Sequence, residues 1–135
     1  MKRRLFLSAE DLKNLAKEGK EKEELVSFLE YLLKRGDELV TSVNALETVL
    51  ILFQEKNNIS SFRNYLASVE SLISEIIRPD IEDLYRSMDI LEQAAVTQET
   101  AMDCAVCLNR RIFISGWHPG RDLPGMHVLR KNEIQ

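Results

Sequence analysis

The sequence predicts an α/β fold of three layers, a helix-rich α/β/α sandwich around a central parallel sheet of short strands. Two observations predict it. Short strand candidates of three or four residues recur along the chain, among them the apolar runs Leu5-Phe6-Leu7 and Ile112-Phe113-Ile114 and the segment Glu38-Leu39-Val40-Thr41. Between them lie one or two longer segments whose apolar residues recur at helical spacing. Strands joined through helices pair in parallel, because a parallel connection needs a crossover.

Composition bounds the rest. The chain has 135 residues, 44% hydrophobic and 30% charged, which is globular composition and is expected to form a single domain over 1–135. A net charge of −4 provides no global field for nucleic acid or an anionic membrane. No apolar run approaches the roughly 18 residues of a membrane span, so no membrane partner is expected. The start, MKRRLFLSAEDL, has too short an apolar part for a signal peptide, and acids follow at once. Two cysteines without an export signal suit a reducing setting, so a cytoplasmic location is expected.

The elements follow in order. Arg3 to Ser8 forms a strand, and Ser8 with Asp11 has capping-box spacing at the start of a helix that runs to about Lys17. Gly19 breaks it. Leu25, Phe28, Leu29, Leu32 and Leu33 mark a second helix, stopped by Gly36. Glu38 to Thr41 is a strand, and Ser42 caps a strongly apolar helix over 43–55. Asn57-Asn58 is a turn. A long helix from Ser60 carries Phe62, Tyr65, Leu66, Val69, Leu72, Ile73 and Ile76, and Ile76 to Arg78 forms a strand. Pro79 suits a helix first turn, followed by acids and then a narrow stripe of Ile81, Leu84, Met88 and Leu91 through about Ala95. Thr97 caps a helix that ends near Asn109. Ile112 to Ile114 and Met126 to Leu129 close the sheet. Ligands of such sheets gather beyond the carboxyl ends of the strands, here Ser8, Ser42 to Thr48, Asp103, and Ser115 to Trp117.

Four segments carry a resemblance: Leu39-Val-Thr-Ser-Val-Asn-Ala-Leu-Glu-Thr-Val-Leu50, the helix from Pro79 to Leu91, Asp103-Cys-Ala-Val, and the closing run Ile114-Ser-Gly-Trp-His-Pro-Gly-Arg-Asp-Leu-Pro-Gly-Met-His-Val-Leu129. In order and spacing they resemble the PIN domain, a fold of metal-dependent ribonucleases that includes the VapC-type toxins. The resemblance implies carboxylates converging on Mg²⁺ or Mn²⁺, which activate a water at a scissile phosphate. Asp103 matches one family acid. Ser8 stands at the first acid position and Trp117 at the last. Glu47 lies one residue off register, with Thr48 in its place, a rotation of about 100° on a helix. Glu10, Asp11 and Asp122 are nearby substitutes.

The resemblance therefore implies candidate catalytic residues Asp103, Glu47 and Glu10, and candidate metal ligands Asp103, Glu47 and Asp122. Three functions stay open. The first is a PIN-like binding or scaffold module with most metal-binding acids replaced, and with no cofactor. The second is an active Mg²⁺- or Mn²⁺-dependent endoribonuclease, the toxin of a toxin–antitoxin pair, with a rearranged acidic site. The third is a generic α/β interaction domain. RNA or an antitoxin-like protein is the expected partner, and the family implies a homodimer.

Other features have plainer readings. Cys104 and Cys107 form a C-x-x-C that, with His118 and His127, loosely imitates a zinc site. The spacing is wrong for a finger, and small residues packed on the sheet is the default. Asp103 as a metal ligand competes with Asp103 as a buried acid bonded to Ser8 or Ser42. Trp117 is expected to plug the pocket as core rather than stack on a base. Arg110, Arg111 and Arg121 are the nearest cations to a phosphate, and Lys13 to Lys22 is a solvated Lys/Glu surface.

Overall fold

A computed structural model describes residues 2–131. Its elements are β1 (Arg4–Phe6), α1 (Ala9–Ala16), α2 (Lys20–Lys34), β2 (Glu38–Ser42), α3 (Val43–Glu55), α4 (Ile59–Leu72), β3 (Glu75–Ile77), α5 (Ile81–Gln93), α6 (Gln98–Arg110), β4 (Phe113–Ser115) and β5 (His127–Leu129). The five strands form one parallel sheet in the order β3-β2-β1-β4-β5. The helix-rich α/β/α architecture with a short-stranded parallel sheet is thus present. Among the described residues no helix is long and apolar enough to cross a membrane.

The inner strands are mostly apolar because both faces of a parallel sheet are covered, while the edge strands β3 and β5 keep exposed residues such as Glu75 and His127. Leu5, Phe6, Leu39, Val40, Ile114 and Leu129 are buried, and helices supply Leu12, Leu32, Val49 and Val106 against them. Burying a side chain of this size contributes roughly 1.5–3 kcal/mol. Sequence order reverses across the sheet at β1, since β2 lies on one side and β4 on the other. That is the switch point where the chain leaves a crevice beyond the strand ends.

Helix starts obey local chemistry. The hydroxyls of Ser8, Ser42 and Thr97 accept from the backbone N–H groups of Asp11, Ala45 and Thr100. Two boundaries depart from the sequence expectation. The fourth helix ends at Leu72, short of Ile76, because the chain turns extended at Ile73 to pair with β2. The Ser74 N–H donates to the Leu39 carbonyl at 2.9 Å, and Glu75 to Ile77 become the strand. Pro79 precedes the fifth helix, and Asp80 is its cap.

That fifth helix, α5, packs with its polar side inward. Asp83, Ser87 and Ile90 are buried against α6. Arg110 of α6 grips both oxygens of Asp83, at 2.7 and 2.9 Å, and Asn109 Nδ2 donates at 2.9 Å. Burial works against the Asp83 charge. The Arg110 guanidinium, the Asp80 backbone N–H and Asn109 outweigh it and hold the carboxyl at about 2. The stripe of Ile81, Leu84, Met88 and Leu91 therefore faces solvent.

Asp83→Asn should destabilise the chain by about 2–4 kcal/mol, because it leaves the Arg110 charge without its bidentate acceptor. A folded-state pKa below the ordinary 3.8 means the Asp83 contribution is complete above about pH 4 and fades as pH falls towards about 2. Urea melts across that window should show wild type losing stability more steeply than the variant.

Candidate functional site

Two buried carboxylates, Asp11 and Asp103, lie near the switch point, and Asp103 lines the crevice there. Asp11 is third in α1 and closes the capping box. Its backbone N–H donates to Ser8 Oγ at 3.1 Å, while the Ser8 N–H donates to Asp11 Oδ2 at 3.2 Å. The second oxygen is taken from across the sheet, where Trp117 Nε1–H donates to Asp11 Oδ1 at 2.8 Å. Trp117 meets Phe28 of α2 edge to face, centroids 5.2 Å apart, and the Lys131 ammonium lies 4.8 Å from its ring. Burial pushes the Asp11 carboxyl up, opposed by the bonds from Trp117 and Ser8.

Asp103 lies in the buried stretch of α6 that packs on the sheet. The Ala9 N–H, at the start of α1, donates to its Oδ2 at 3.4 Å. His118 Nε2 approaches the same oxygen at 3.5 Å. The Gly120 N–H donates to His118 Nδ1 at 3.0 Å, which leaves the ring proton on Nε2, facing Asp103. Backbone bonds from His118 N–H to the Ser115 carbonyl and from Arg121 N–H to the His118 carbonyl, each 3.1 Å, fix the turn. A Cβ on Gly120 would overlap Cys104 Sγ and crowd His118 Nδ1, so only glycine lets the loop close on α6. Burial raises the Asp103 carboxyl, opposed by the His118 bond and by Ala9, and reinforced by the Glu99 charge.

The other acids lie around these two carboxylates. Glu47 is exposed on α3 and lines a cleft of about 240 Å³ with Asp103, Thr48, Asn44 and Glu99. Glu10 is exposed on α1 and lines a second cleft, about 280 Å³, with Asp103, His118, Lys13 and Glu99. Asp122 points to solvent beside Arg121 and lines neither cleft. Two residues beside Asp103 were not placed there by sequence reasoning: Glu99, and His118, which was weighed only in a loose zinc-like set. Glu99 precedes Asp103 by one helical turn and so shares its face, a spacing that was readable. His118 reaches Asp103 only through the loop turn, which no local spacing reports.

The expected partners of Asp103 also change. Ser8 and Ser42 are occupied with their own helix caps, and Ala9 and His118 take their place. Arg110 is committed to Asp83, and Arg121 Nη1 donates to the His118 carbonyl. Both cysteines are free and buried. Burial and the Asp103 charge push the Cys104 thiol up to about 12, which disfavours a thiolate ligand. His127 is exposed on β5 and lies against Phe113.

A family-type cation cage demands free carboxylate oxygens converging on one point. Here both oxygens of Asp11 and one of Asp103 receive N–H donors. Among the described residues no three His, Cys, Asp or Glu side chains are grouped to hold one ion. This donor set does not fit the cage.

Trp117→Phe should keep the ring packing but leave a buried carboxylate one donor short, costing about 1–3 kcal/mol. The Asp11 carboxyl should then rise further, so the deficit should grow from acid to neutral pH, as thermal melts across that range would show. Gly120→Ala should cost about 1–3 kcal/mol through overpacking against Cys104, measured by denaturant melts.

No family model matches the sequence, and no curated protein matches it. Among solved structures, the chain is similar to VapBC2 from Rickettsia felis, crystallised bound to a DNA fragment from their promoter. The TM-score is 0.77 and the identity 13%, over 94% of this chain and 98% of that one. The likeness spans nearly the whole length, and the fold of this chain is PIN-like.

Proposed function

We propose that this PIN-like chain is a binding module in which the nuclease acids have been replaced by an internally bonded pair of carboxylates. One observation carries the reading: Trp117 donates its indole N–H to Asp11 from the position where the resemblance expects an acid. Where a ligand for a cation would stand, the chain has a hydrogen-bond donor aimed inward. His118 treats Asp103 in the same way. The partner we expect is a protein, antitoxin-like in role, since the similar VapBC2 was crystallised as more than one protein on their promoter DNA. Work in the cytoplasm, as a homodimer, belongs to the same reading.

A second reading keeps the chemistry. Glu47, Glu99 and Glu10 rim two clefts that share Asp103, so a rearranged Mg²⁺- or Mn²⁺-dependent endoribonuclease would draw its ligands from them. Its charged rim acids would have to swing inward, and Glu99 would have to leave Lys13, 3.9 Å away.

Calorimetric titration with Mg²⁺ and Mn²⁺ decides between them. The binding-module reading expects no saturable site tighter than about millimolar, and no EDTA-sensitive cleavage of structured or single-stranded RNA. A tighter site that disappears in Asp103→Asn, together with such cleavage, would establish the second reading instead.

A further inference from the structure

The α5 helix is amphipathic in the wrong direction for a core element. Its buried side is Asp83, Ser87 and Ile90, and its solvent side carries Ile81, Leu84, Tyr85, Met88 and Leu91. Ile81 is 57% exposed and Tyr85 58%. Residues at these positions share one stripe, because they repeat every three or four along the helix. An exposed apolar stripe several side chains long marks an interaction surface.

Charge says what kind of partner it fits. At about 100° per residue, Glu82 and Asp89 fall along the flank beside Tyr85, Glu92 falls between Ile81 and Tyr85 at the C-terminal end of the stripe, and all three are exposed. The other flank of the stripe runs into α6. The cation of this helix, Arg86, donates to Asn109 of α6 at 3.2 Å, and Arg78 precedes the helix. A second copy of the chain fits poorly. An antiparallel pairing centred on the stripe brings the acidic flanks of the two copies together, with Glu82 of one copy near Asp89 of the other. Like charges facing one another across an interface oppose association.

We propose that α5 is a docking face for an amphipathic helix of another protein, one with apolar residues at three- and four-residue spacing and lysines or arginines along one side. Its leucine-type side chains would cover Ile81, Leu84, Tyr85, Met88 and Leu91, and its cations would lie along Glu82, Asp89 and Glu92. This is helix recognition through regularly spaced anchors, with charge setting orientation and specificity. It rests on the reading of the chain as a binding module. Its surface lies on the outer side of α5, away from Asp11 and Asp103, so peptide binding and metal binding fail separately.

The test uses a fluorescent 18-residue helical peptide with a leucine stripe and lysines along one flank, and a twin with glutamates in place of the lysines. Anisotropy with the full chain should show the lysine peptide binding at least tenfold tighter than the twin, and weakening as salt rises. Leu84→Gln with Met88→Gln should reduce that binding at least tenfold while circular dichroism stays unchanged. Should that variant misfold, Asp89→Lys with Glu92→Lys alters only exposed charges and should reverse the preference between the two peptides. Equal affinity for both peptides, no binding, or binding indifferent to either α5 variant overturns the proposal. So does a dimer of the wild-type chain, by light scattering, that the α5 variants dissociate, since that assigns the face to a second copy.

Discussion

Two carboxylates are buried at the point where the strand order reverses, and each must be satisfied from within the chain. An unpaired buried charge costs several kcal/mol, so their partners organise what surrounds them. Asp11 is held by its own capping box and by Trp117. Asp103 is held by the first N–H of α1 and by His118. Both of the long-range donors come from the single loop between β4 and β5. Closing that loop therefore seals two acids at once and joins α1, α2, α6 and the sheet into one unit. Gly120 is the permissive residue, since any side chain there would strike Cys104.

The same loop explains the functional reading. In a hard-cation site, neighbouring residues must leave carboxylate oxygens free and must add more oxygens. Here the loop adds an indole N–H and an imidazole, which compete for the oxygens that exist. The exposed acids Glu47, Glu10 and Glu99 lie at the rim, where water solvates them cheaply.

Local signals in the sequence were legible where local chemistry decides. Ser8, Ser42 and Thr97 are helix caps because a hydroxyl meets N–H groups two or three residues on. Short apolar runs became parallel strands because both faces of the sheet are covered. Contacts between distant residues were not legible. The fourth helix lost its last turn to β2, a pairing that the pattern of Leu72, Ile73 and Ile76 cannot report. The direction of α5 was hidden for the same reason: the stripe Ile81 to Leu91 looks like a core face, and only the Asp83–Arg110 pair, 27 residues apart, turns it outward. Trp117 was readable as a plug from its position, but its bond to Asp11 spans 106 residues. His118 was readable only as part of a loose zinc-like set, not as a partner of Asp103, and Glu99 was missed although its spacing from Asp103 placed both on one helix face.

The central claim is that Trp117 and His118 hold the two buried acids in the resting chain. Nitrogen NMR on uniformly labelled protein tests it directly, read on the Trp117 indole and both His118 ring nitrogens as Mg²⁺ is raised into the millimolar range. The account predicts a hydrogen-bonded indole N–H protected from exchange and a His118 ring protonated at Nε2 and bare at Nδ1, all unmoved by the cation. An unprotected indole, or saturable shifts of these resonances with Mg²⁺, would contradict it.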